Sequence, residues 1–301
     1  MSGGLVVGID AGATKTRAFA VDRAGEVVGR GAGGGANLLS SADPQGSIGA
    51  ALNEALAGRD AEAVVLSAAG GDRKADRERG RDMLARVAPA GARLRVTHDA
   101  LAALYAGNPA GNGVVLIAGT GSIAYGRNEE GEEHRAGGWG HLIGDEGSAV
   151  WCGLEALRAV AHAVDGRGAP TRLVELLFAE LGVREFADVL PQLYGRPHPA
   201  PAIGAATRAL AMAAAQGDAL ANGILQRGAV ALARAATVVA QELGLPGGPV
   251  YLAGGAFESL PLLQRLVRLE LLGVLPGASV EPVREEPAMG AARIAMQLAW
   301  P

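Results

Sequence analysis

Cysteine is almost absent from this sequence of 301 residues, which contains a single one, Cys152. One thiol excludes an intramolecular disulfide framework, a zinc site built from several cysteines and a self-contained iron–sulfur cluster. Cys152 also lies within a stretch of helical periodicity rather than in a loop.

Charge of one sign and long apolar runs are lacking as well. The formal net charge is −4 and no dense basic tract occurs, so nucleic acid is not an expected partner. The opening MSGGLVVGIDAGA has no basic segment and only a short, strand-like apolar run, which predicts neither a signal peptide nor a membrane span. With 49% hydrophobic and 19% charged residues, the composition is that of a soluble globular protein, and the cytoplasm is its expected location.

What the sequence does contain is a weak internal repeat. Val6–Gly34 and Val114–Gly138 each begin with an apolar strand, followed by a turn rich in glycine and hydroxyl residues. A second strand, a polar turn ending in glycine (DRAG, NEEG) and a third strand follow in both. Two similar β-hairpins can arise by chance from turn chemistry, but the shared positions of small and hydroxyl residues favour a duplicated domain.

The remaining pattern predicts two α/β lobes, residues 1–110 and 111–301, with a short hinge near 107–113. Strands are expected at 61–71, 93–100 and 249–259. Helices are expected near 43–57, 76–87, 148–164, 171–181, 200–215, 218–243, 260–271 and 287–298. We expect the last of these helices to pack back across the lobes.

The first candidate motif is GIDAGATKT, from Gly8 to Thr16. Asp10 precedes a tight turn in which Gly12 allows close backbone approach. Thr14, Lys15 and Thr16 provide hydroxyls and an ammonium that suit phosphate oxygens, and Asp10 suits a hydrated Mg²⁺. The motif is neither a Walker loop nor a dinucleotide-binding fingerprint. Read alone, it is also compatible with an ordinary β-turn.

Two further glycine-rich turns occur later in the chain. LIAGTGSIAYG places Gly119, Thr120, Gly121 and Ser122 between strands at the matching point of the repeat, so the two loops together could hold a polyphosphate. LAGGAF contains Gly254 and Gly255, which leave room for a flat ligand or for close helix packing. By itself, that second motif is equally well explained as a simple strand-to-helix turn.

Carboxylates occur in two suggestive contexts. Asp99 in THDA ends a strand and begins a helix, where it is either an N-cap or a base for an attacking hydroxyl, and the N-cap is favoured from the motif alone. In GGWGHLIGDEGSA, Trp139 could stack on a sugar ring or fill the core, and Asp145 could accept hydrogen bonds from sugar hydroxyls. His141 is better explained as a structural histidine than as a zinc ligand.

Taken in order, these motifs resemble the BadF-type ATPase family of the actin/Hsp70/sugar-kinase superfamily, and especially its N-acetylglucosamine kinases. The matching segments extend from Gly8 to Phe257 and are GIDAGATKT, GGANLLS, THDA, LIAGTGSIAYG, GGWGHLIGDEGSA, AQGDALA and LAGGAF. The resemblance implies a two-lobed, actin-like (ribonuclease H-like) α/β fold with a central cleft. It also implies an ATP- and Mg²⁺-dependent kinase, and a homodimer as the usual assembly.

Residue roles follow from the resemblance by position. Thr14 and Thr120 would contact the ATP phosphates, Asp10 would lie near the magnesium, Ala214 would touch the nucleotide, and Gly254 and Gly255 would flank the adenosine. The sugar pocket would be lined by Asn37, Asp99, Gly138, Trp139, Gly140 and Asp145, with Asp99 as the catalytic base. Ala11, Ala13 and His98 depart from the residues common in the family, which puts the sugar preference in doubt.

The expected reaction is phosphorylation of the 6-hydroxyl of an amino sugar, most simply N-acetylglucosamine. Glucosamine, N-acetylmuramate and glucose are alternative acceptors that the sequence separates poorly. The branch of the family that activates dehydratases needs cysteines for a shared iron–sulfur cluster, which Cys152 alone does not supply. A sugar- and ATP-binding sensor is the non-enzymatic alternative, and it would normally carry an added DNA-binding segment.

Overall fold

The computed structural model describes residues 4–71, 73–195 and 200–301. Internal contacts group the chain into two compact units, the described parts of Met1–Gly113 with Pro282–Pro301, and Val114–Glu281. The sequence pattern placed the lobe boundary at residue 110 and assigned the chain end to the second lobe. In the structure, residues 282–301 belong to the first unit.

Each unit is built on a five-stranded sheet. The strands are β1 (Val6–Ala11), β2 (Thr16–Val21), β3 (Val27–Gly33), β4 (Ala63–Ala68), β5 (Arg93–His98), β6 (Gly113–Ala118), β7 (Ser122–Arg127), β8 (Glu133–Gly137), β9 (Val250–Ala253) and β10 (Val280–Pro282). The strand orders are β3-β2-β1-β4-β5 and β8-β7-β6-β9-β10. The two orders are the same when β6 to β10 are matched in sequence with β1 to β5. The predicted duplicated α/β fold is therefore confirmed.

Helices cover the sheets and connect the strands. They are α1 (Pro44–Leu56), α2 (Lys74–Val87), α3 (Asp99–Gly107), α4 (Ala149–Val164), α5 (Leu173–Leu181), α6 (Leu190–Tyr194), α7 (Ala200–Ala215), α8 (Ala219–Glu242), α9 (Gly255–Ser259), α10 (Pro261–Val274) and α11 (Pro287–Ala299). Each predicted helix is present, with ends within three residues of the expected ones. The short α6, α9 and β10 and a 3₁₀ turn at Phe186–Val189 were not predicted, since such brief elements carry too little periodicity.

The two hairpins of the repeat close with the same turn. Asp22 and Asn128 begin the turns, and the side-chain oxygen of each accepts a backbone hydrogen bond from the residue four positions later. Gly25 and Gly131 have the same positive φ of 85°, which other residues rarely adopt. The DRAG and NEEG motifs thus encode one five-residue loop used twice. The first copy is longer in its glycine-rich turn and in its third strand.

Small residues explain how α11 packs within the first unit. A Cβ on Gly8 of β1 would clash with the α11 backbone at Ala292, and a Cβ on Gly290 would clash with the carbonyl oxygen of Ala102 in α3. Backbones approach this closely only where side chains are absent. The alanine- and glycine-rich end of the chain therefore encodes a tightly seated helix.

The single cysteine lies inside the core of the second unit. Cys152 in α4 is fully buried, and burial raises the pKa of its thiol to about 12. A thiol in this environment stays protonated and neither ligates a metal nor reacts readily. Along the described parts of the chain, we find no helix with the length and hydropathy required to span a bilayer.

Candidate active site

The first glycine-rich loop is a closed turn at the end of β1. The Gly12 amide donates to the Lys15 carbonyl at 3.0 Å, and the Gly12 carbonyl accepts from Ala36 N at 2.9 Å. Thr14 and Lys15 project from this turn and are exposed. Thr16 is different, because it is fully buried and its hydroxyl donates to the Gly34 carbonyl at 2.7 Å. The geometry thus gives the Thr16 side chain a structural role and leaves Thr14 and Lys15 open to a ligand.

Two carboxylates of the first unit influence each other electrostatically. Burial and the negative charge of Asp99 raise the pKa of Asp10 from 3.8 to about 7, and the Lys15 ammonium opposes this shift. Asp10 lies at the end of β1 and Asp99 at the start of α3. The sheet order brings the ends of β1 and β5 near each other, since both strands flank β4. A buried carboxyl group beside a second acid is a common feature of catalytic and cation sites.

The N-cap interpretation of Asp99 is wrong. His98 is the N-cap of α3, and its Nδ1 accepts from the Leu101 amide at 3.3 Å. Asp99 is the first residue inside the helix, where a carboxylate is stabilised by the helix dipole. The histidine that departs from the family pattern thus supplies the cap and leaves Asp99 outside that role.

Asn37 lies in the turn that follows β3. Its Oδ1 accepts from the amides of Leu39 at 2.9 Å and Ser40 at 3.2 Å, so the oxygen is engaged in its own turn. Gly70, at the end of β4, lies close enough that a Cβ there would be 2.9 Å from this oxygen. The local arrangement fixes the amide, and its Nδ2 is the group with donors for a ligand.

The second glycine-rich loop, Gly119 to Ser122, is attached to the segment that begins α4. The Gly119 amide donates to the Gly121 carbonyl at 2.9 Å, and the Gly119 carbonyl accepts from Ala149 N at 2.9 Å. The Ser122 hydroxyl is buried and donates to the Glu146 carbonyl at 2.9 Å. Ser122 therefore matches Thr16 in being a structural hydroxyl at the start of the second hairpin strand. Thr120, like Thr14, is exposed.

The Asp145 carboxylate connects the loop Gly119 to Ser122 to the glycine-rich segment 137–147 through hydrogen bonds. Its Oδ1 accepts from the Gly140 amide at 3.2 Å, and the Ser122 amide also donates to its carboxylate. Desolvation by burial raises the pKa of Asp145 and outweighs the opposing effect of these hydrogen bonds. Its φ of +60° is rare outside glycine and shows that the surrounding loop imposes its conformation. A Cβ on Gly121 would lie 2.6 Å from the other carboxylate oxygen, so a glycine is needed there.

Trp139 does not fill the core. It is 64% exposed, and the guanidinium of Arg135 lies 5.0 Å from the centre of its ring. The core alternative for this residue is therefore wrong. Its neighbours Gly138 and Gly140 both adopt positive φ, which turns the chain sharply on either side. His141 is also exposed.

The Gly254–Gly255 motif joins β9 to α9. Gly254 has a φ of +104°, and a Cβ there would clash with the carbonyl oxygen of Ala118 at the end of β6. Gly255 has open space around it. The motif thus holds the helix start beside the loop that begins at Gly119. Ala214 lies at the end of α7, where it lines a cavity of about 620 Å³.

The sequence pattern missed two groups of residues near these sites. Arg135 contacts the Trp139 ring, and its position in an alternating strand gave no signal for such a contact. Asn222, Gln226 and Arg265 line the cavity at Ala214. Polar residues on a helix otherwise rich in alanine and leucine were the available signal for Asn222 and Gln226.

No group of three or more histidine, cysteine, aspartate or glutamate side chains within the described residues could hold a metal ion. Mg²⁺ does not require such a group, because it usually binds through one or two carboxylates, phosphate oxygens and water. The partly buried Asp10 carboxyl group, with Asp99 nearby, has the chemistry of that kind of site. The residues present therefore fit a magnesium ion bound together with phosphates.

The chain is similar to several known proteins over most of its length. The chain is 32% identical over 252 residues to an N-acetylmuramic acid/N-acetylglucosamine kinase of Clostridium acetobutylicum, covering 83% of this chain and 80% of that protein. It is 31% identical to an N-acetyl-D-glucosamine kinase of Dictyostelium discoideum, covering 98% and 99%. A solved structure from Chromobacterium violaceum, provisionally named an N-acetylglucosamine kinase, has a TM-score of 0.75 at 26% identity, covering 97% and 99%. Residues 7–295 match the BadF/BadG/BcrA/BcrD ATPase family, and the chain belongs to that family.

Proposed function

We propose that the protein is an ATP-dependent kinase that phosphorylates the 6-hydroxyl of an amino sugar, with N-acetylglucosamine as the acceptor. The observation that carries this proposal is the similarity, over at least 80% of both chains, to two relatives named for kinase activity on N-acetylglucosamine. The carboxyl pair and the two glycine-rich loops supply the groups that phosphoryl transfer requires.

Asp99 is the proposed base. It is the first residue of α3, after the N-cap His98, and its negative charge acts on the Asp10 carboxyl group. In the reaction, the sugar oxygen forms a bond to the γ-phosphorus while the bond from that phosphorus to the bridging oxygen of ADP breaks. The proton of the sugar hydroxyl passes to the Asp99 carboxylate. Positioning and charge stabilisation account for most of the catalysis in such transfers.

Asp10 is the proposed contact for Mg²⁺, directly or through water. The raised pKa of its carboxyl group reflects burial and a neighbouring negative charge, and a cation bound beside the carboxylate would offset both. A bound Mg²⁺ would neutralise charge on the phosphates. Thr14 and Lys15 are exposed on the turn that follows Asp10 and are the proposed phosphate contacts of the first unit.

The second unit contributes the remaining phosphate and nucleotide contacts in this proposal. Thr120 is exposed on a loop that Ser122 and Asp145 hold in place. Gly119 and Gly121 provide close backbone approach, Gly254 and Gly255 flank the adenosine, and Ala214 lines the nucleotide cavity. Gly138, Trp139 and Gly140 form the proposed sugar-facing wall, and the Asp145 carboxylate contributes its remaining acceptor capacity. Asn37 supplies an amide donor from the first unit.

N-acetylmuramate is a second candidate acceptor, because the relative from Clostridium acetobutylicum is named for both sugars. This sugar carries a lactyl carboxylate in addition to the acetamido group. Arg135, which stacks on Trp139, is a cation beside the proposed sugar wall that could accept such a group.

We further propose that the protein is a homodimer and that it is located in the cytoplasm, where ATP is available. Light scattering of the purified protein tests the assembly.

A coupled assay of ADP release tests the function. Purified protein with Mg²⁺ and ATP is given N-acetylglucosamine, N-acetylmuramate, glucosamine or glucose in turn, and the position of the new phosphate is found by NMR. We expect the highest kcat/KM with N-acetylglucosamine and phosphate on oxygen 6. A clear preference for a sugar without an acetamido group would contradict the substrate assignment. ADP release with none of the sugars, despite binding of ATP and sugar, would favour a sensor.

A further inference from the structure

The second unit contains a cavity that none of the glycine-rich loops lines. Its walls come from the end of α7, the first turns of α8 and the segment from Leu260 into α10, and its volume is about 620 Å³. That volume lies within the roughly 300–1,000 Å³ typical of small-molecule sites. Its lining is mainly alanine and leucine, and the polar residues are Asn222, Gln226 and Arg265. An apolar cavity with a few polar side chains is typical of a site for an organic ligand.

Asn222 is the unusual member of this lining. Its Oδ1 is shielded from solvent and makes no hydrogen bond to any residue that the structure describes. Buried side-chain oxygens are nearly always paired, because an unpaired one loses its hydrogen bonds to water without replacement. Asn222 is also one of the residues that line the cavity. A ligand that donates a hydrogen bond there would satisfy the oxygen.

The backbone at Asn222 is held firmly in place. Asp218 caps α8 by accepting from the Ala221 amide at 2.9 Å. The same carboxylate accepts from the Thr171 hydroxyl and the Arg172 amide, both at 2.9 Å, which ties the start of α8 to the start of α5. Asn222 is in the first turn of this anchored helix. Its amide is therefore presented from a rigid support, as recognition of a specific ligand group requires.

The neighbouring polar groups restrict what the ligand can be. Gln226 donates to Glu270 at 2.7 Å, so its amide nitrogen is engaged. Arg265 is exposed at the cavity, where a guanidinium plane can stack on an aromatic ring. Leu260, Leu262 and Leu266 provide apolar contacts. The complementary ligand is a flat aromatic ring that carries an amino group.

We propose that Asn222 recognises the 6-amino group of adenine and makes the protein selective for adenine over other purines. This inference rests on the proposed kinase function and specifies which nucleotide that function uses. A 6-carbonyl, as in hypoxanthine, would place an acceptor against the Asn222 oxygen. Purine without a 6-substituent would leave that oxygen unpaired. Selectivity then arises from one buried side chain rather than from the phosphate loops.

Calorimetric binding of three diphosphates with Mg²⁺ tests this assignment without any sugar. We expect the wild-type protein to bind ADP about tenfold more tightly than inosine diphosphate, and roughly fivefold more tightly than purine riboside diphosphate. In Asn222→Leu, which keeps the side-chain size and removes the acceptor, the three affinities should lie within about twofold of one another. The matched control is Asn53→Leu on the exposed face of α1, which should keep the wild-type ratios.

The outcomes separate the two proposals. Equal binding of ADP and inosine diphosphate by the wild-type protein would overturn the role of Asn222, even if Asn222→Leu fails to fold, and would leave kinase activity intact. Retention of the wild-type ratios in a folded Asn222→Leu protein would overturn it as well. Binding of none of the three diphosphates would overturn both the role of Asn222 and the proposed ATP site.

Discussion

The two hairpins of the repeat, β1-β2-β3 and β6-β7-β8, have the same scaffold and different chemistry. Both lie in sheets of the same strand order, and both close with a turn organised by Asp22 or Asn128. In each, a buried hydroxyl at the start of the middle strand donates to a backbone carbonyl, Thr16 to Gly34 and Ser122 to Glu146. These shared features concern folding.

The differences concentrate where a ligand would bind. The next-to-last residue of the first strand is Asp10 in one copy and Ile117 in the other. The first loop carries Lys15, and the second carries no charge. Beside the second loop, Asp145 accepts hydrogen bonds from the Ser122 and Gly140 amides. The two copies thus share the hydrogen bonds that hold the hairpins. They differ in charge, because Asp10 and Lys15 belong to the first copy and the loop of the second copy is neutral.

The largest expected effect comes from replacing Asp99, the proposed base, which belongs to the first unit. Asp99→Asn should lower kcat by about 10²–10⁴-fold, because an amide cannot accept the proton of the sugar hydroxyl. Sugar binding should be retained, since asparagine keeps the size and an acceptor oxygen. ADP release and calorimetric sugar affinity measure the two effects separately. Asp82→Asn, on the exposed face of α2, is the control and should leave both unchanged. Activity of Asp99→Asn near the wild-type level would refute the assignment of the base.

The next comparison concerns the glycines that follow the matching strands β4 and β9. Gly254→Ala should destabilise the protein by about 4 kcal/mol, because its φ is positive and the new methyl group clashes with the Ala118 backbone. Gly70→Ala, where φ is also positive, should cost less, since its Cβ would meet side-chain atoms of Asn37 and Leu39 rather than backbone. Gly255→Ala, with open space around it, is the control. Urea unfolding measures all three, and equal losses would contradict this ranking.

The fold was predictable because its signals are repeated and local. The polar turns at Gly25 and Gly131 and the helical periodicity of segments such as Ala200–Ala215 identified the elements, and the repeat indicated the duplication. The site was less predictable, because side-chain engagement depends on tertiary neighbours. The pattern of Thr14, Lys15 and Thr16 does not show that the third side chain is buried under Gly34. Nor does the order of His98 and Asp99 show which of them caps α3.

A smaller effect is expected from the charge on Asp10. The pKa of this group is about 7 in the folded protein and near 3.8 when unfolded, so the folded state binds more protons between these values and stability falls as pH rises. Asp10→Asn should therefore be close to wild type in stability near pH 4. It should be more stable by on the order of 3 kcal/mol at pH 8.5 without ligands. Urea unfolding across this pH range measures the difference.

The matching strand position of the second unit offers a control for Asp10. Ile117→Val changes the size of a side chain but no charge, so its effect on stability should not vary with pH. Asp82→Asn makes the same change at an exposed carboxylate and is measured alongside. A constant difference between Asp10→Asn and wild type from pH 4 to 8.5 would show that burial does not hold the Asp10 carboxyl group protonated.

The smallest expected effects separate structural from ligand-binding hydroxyls in both hairpins. Thr16→Val should cost about 1 kcal/mol of stability, because the Gly34 carbonyl loses its buried donor, with little change in the KM for ATP. Thr14→Val should leave stability unchanged and raise that KM several-fold. Ser122→Ala and Thr120→Val should divide in the same way in the second hairpin. If Thr16→Val weakened ATP binding as strongly as Thr14→Val, the buried Thr16 hydroxyl would have to influence the ligand through the loop. The buried hydroxyls of the two hairpins would then not be purely structural.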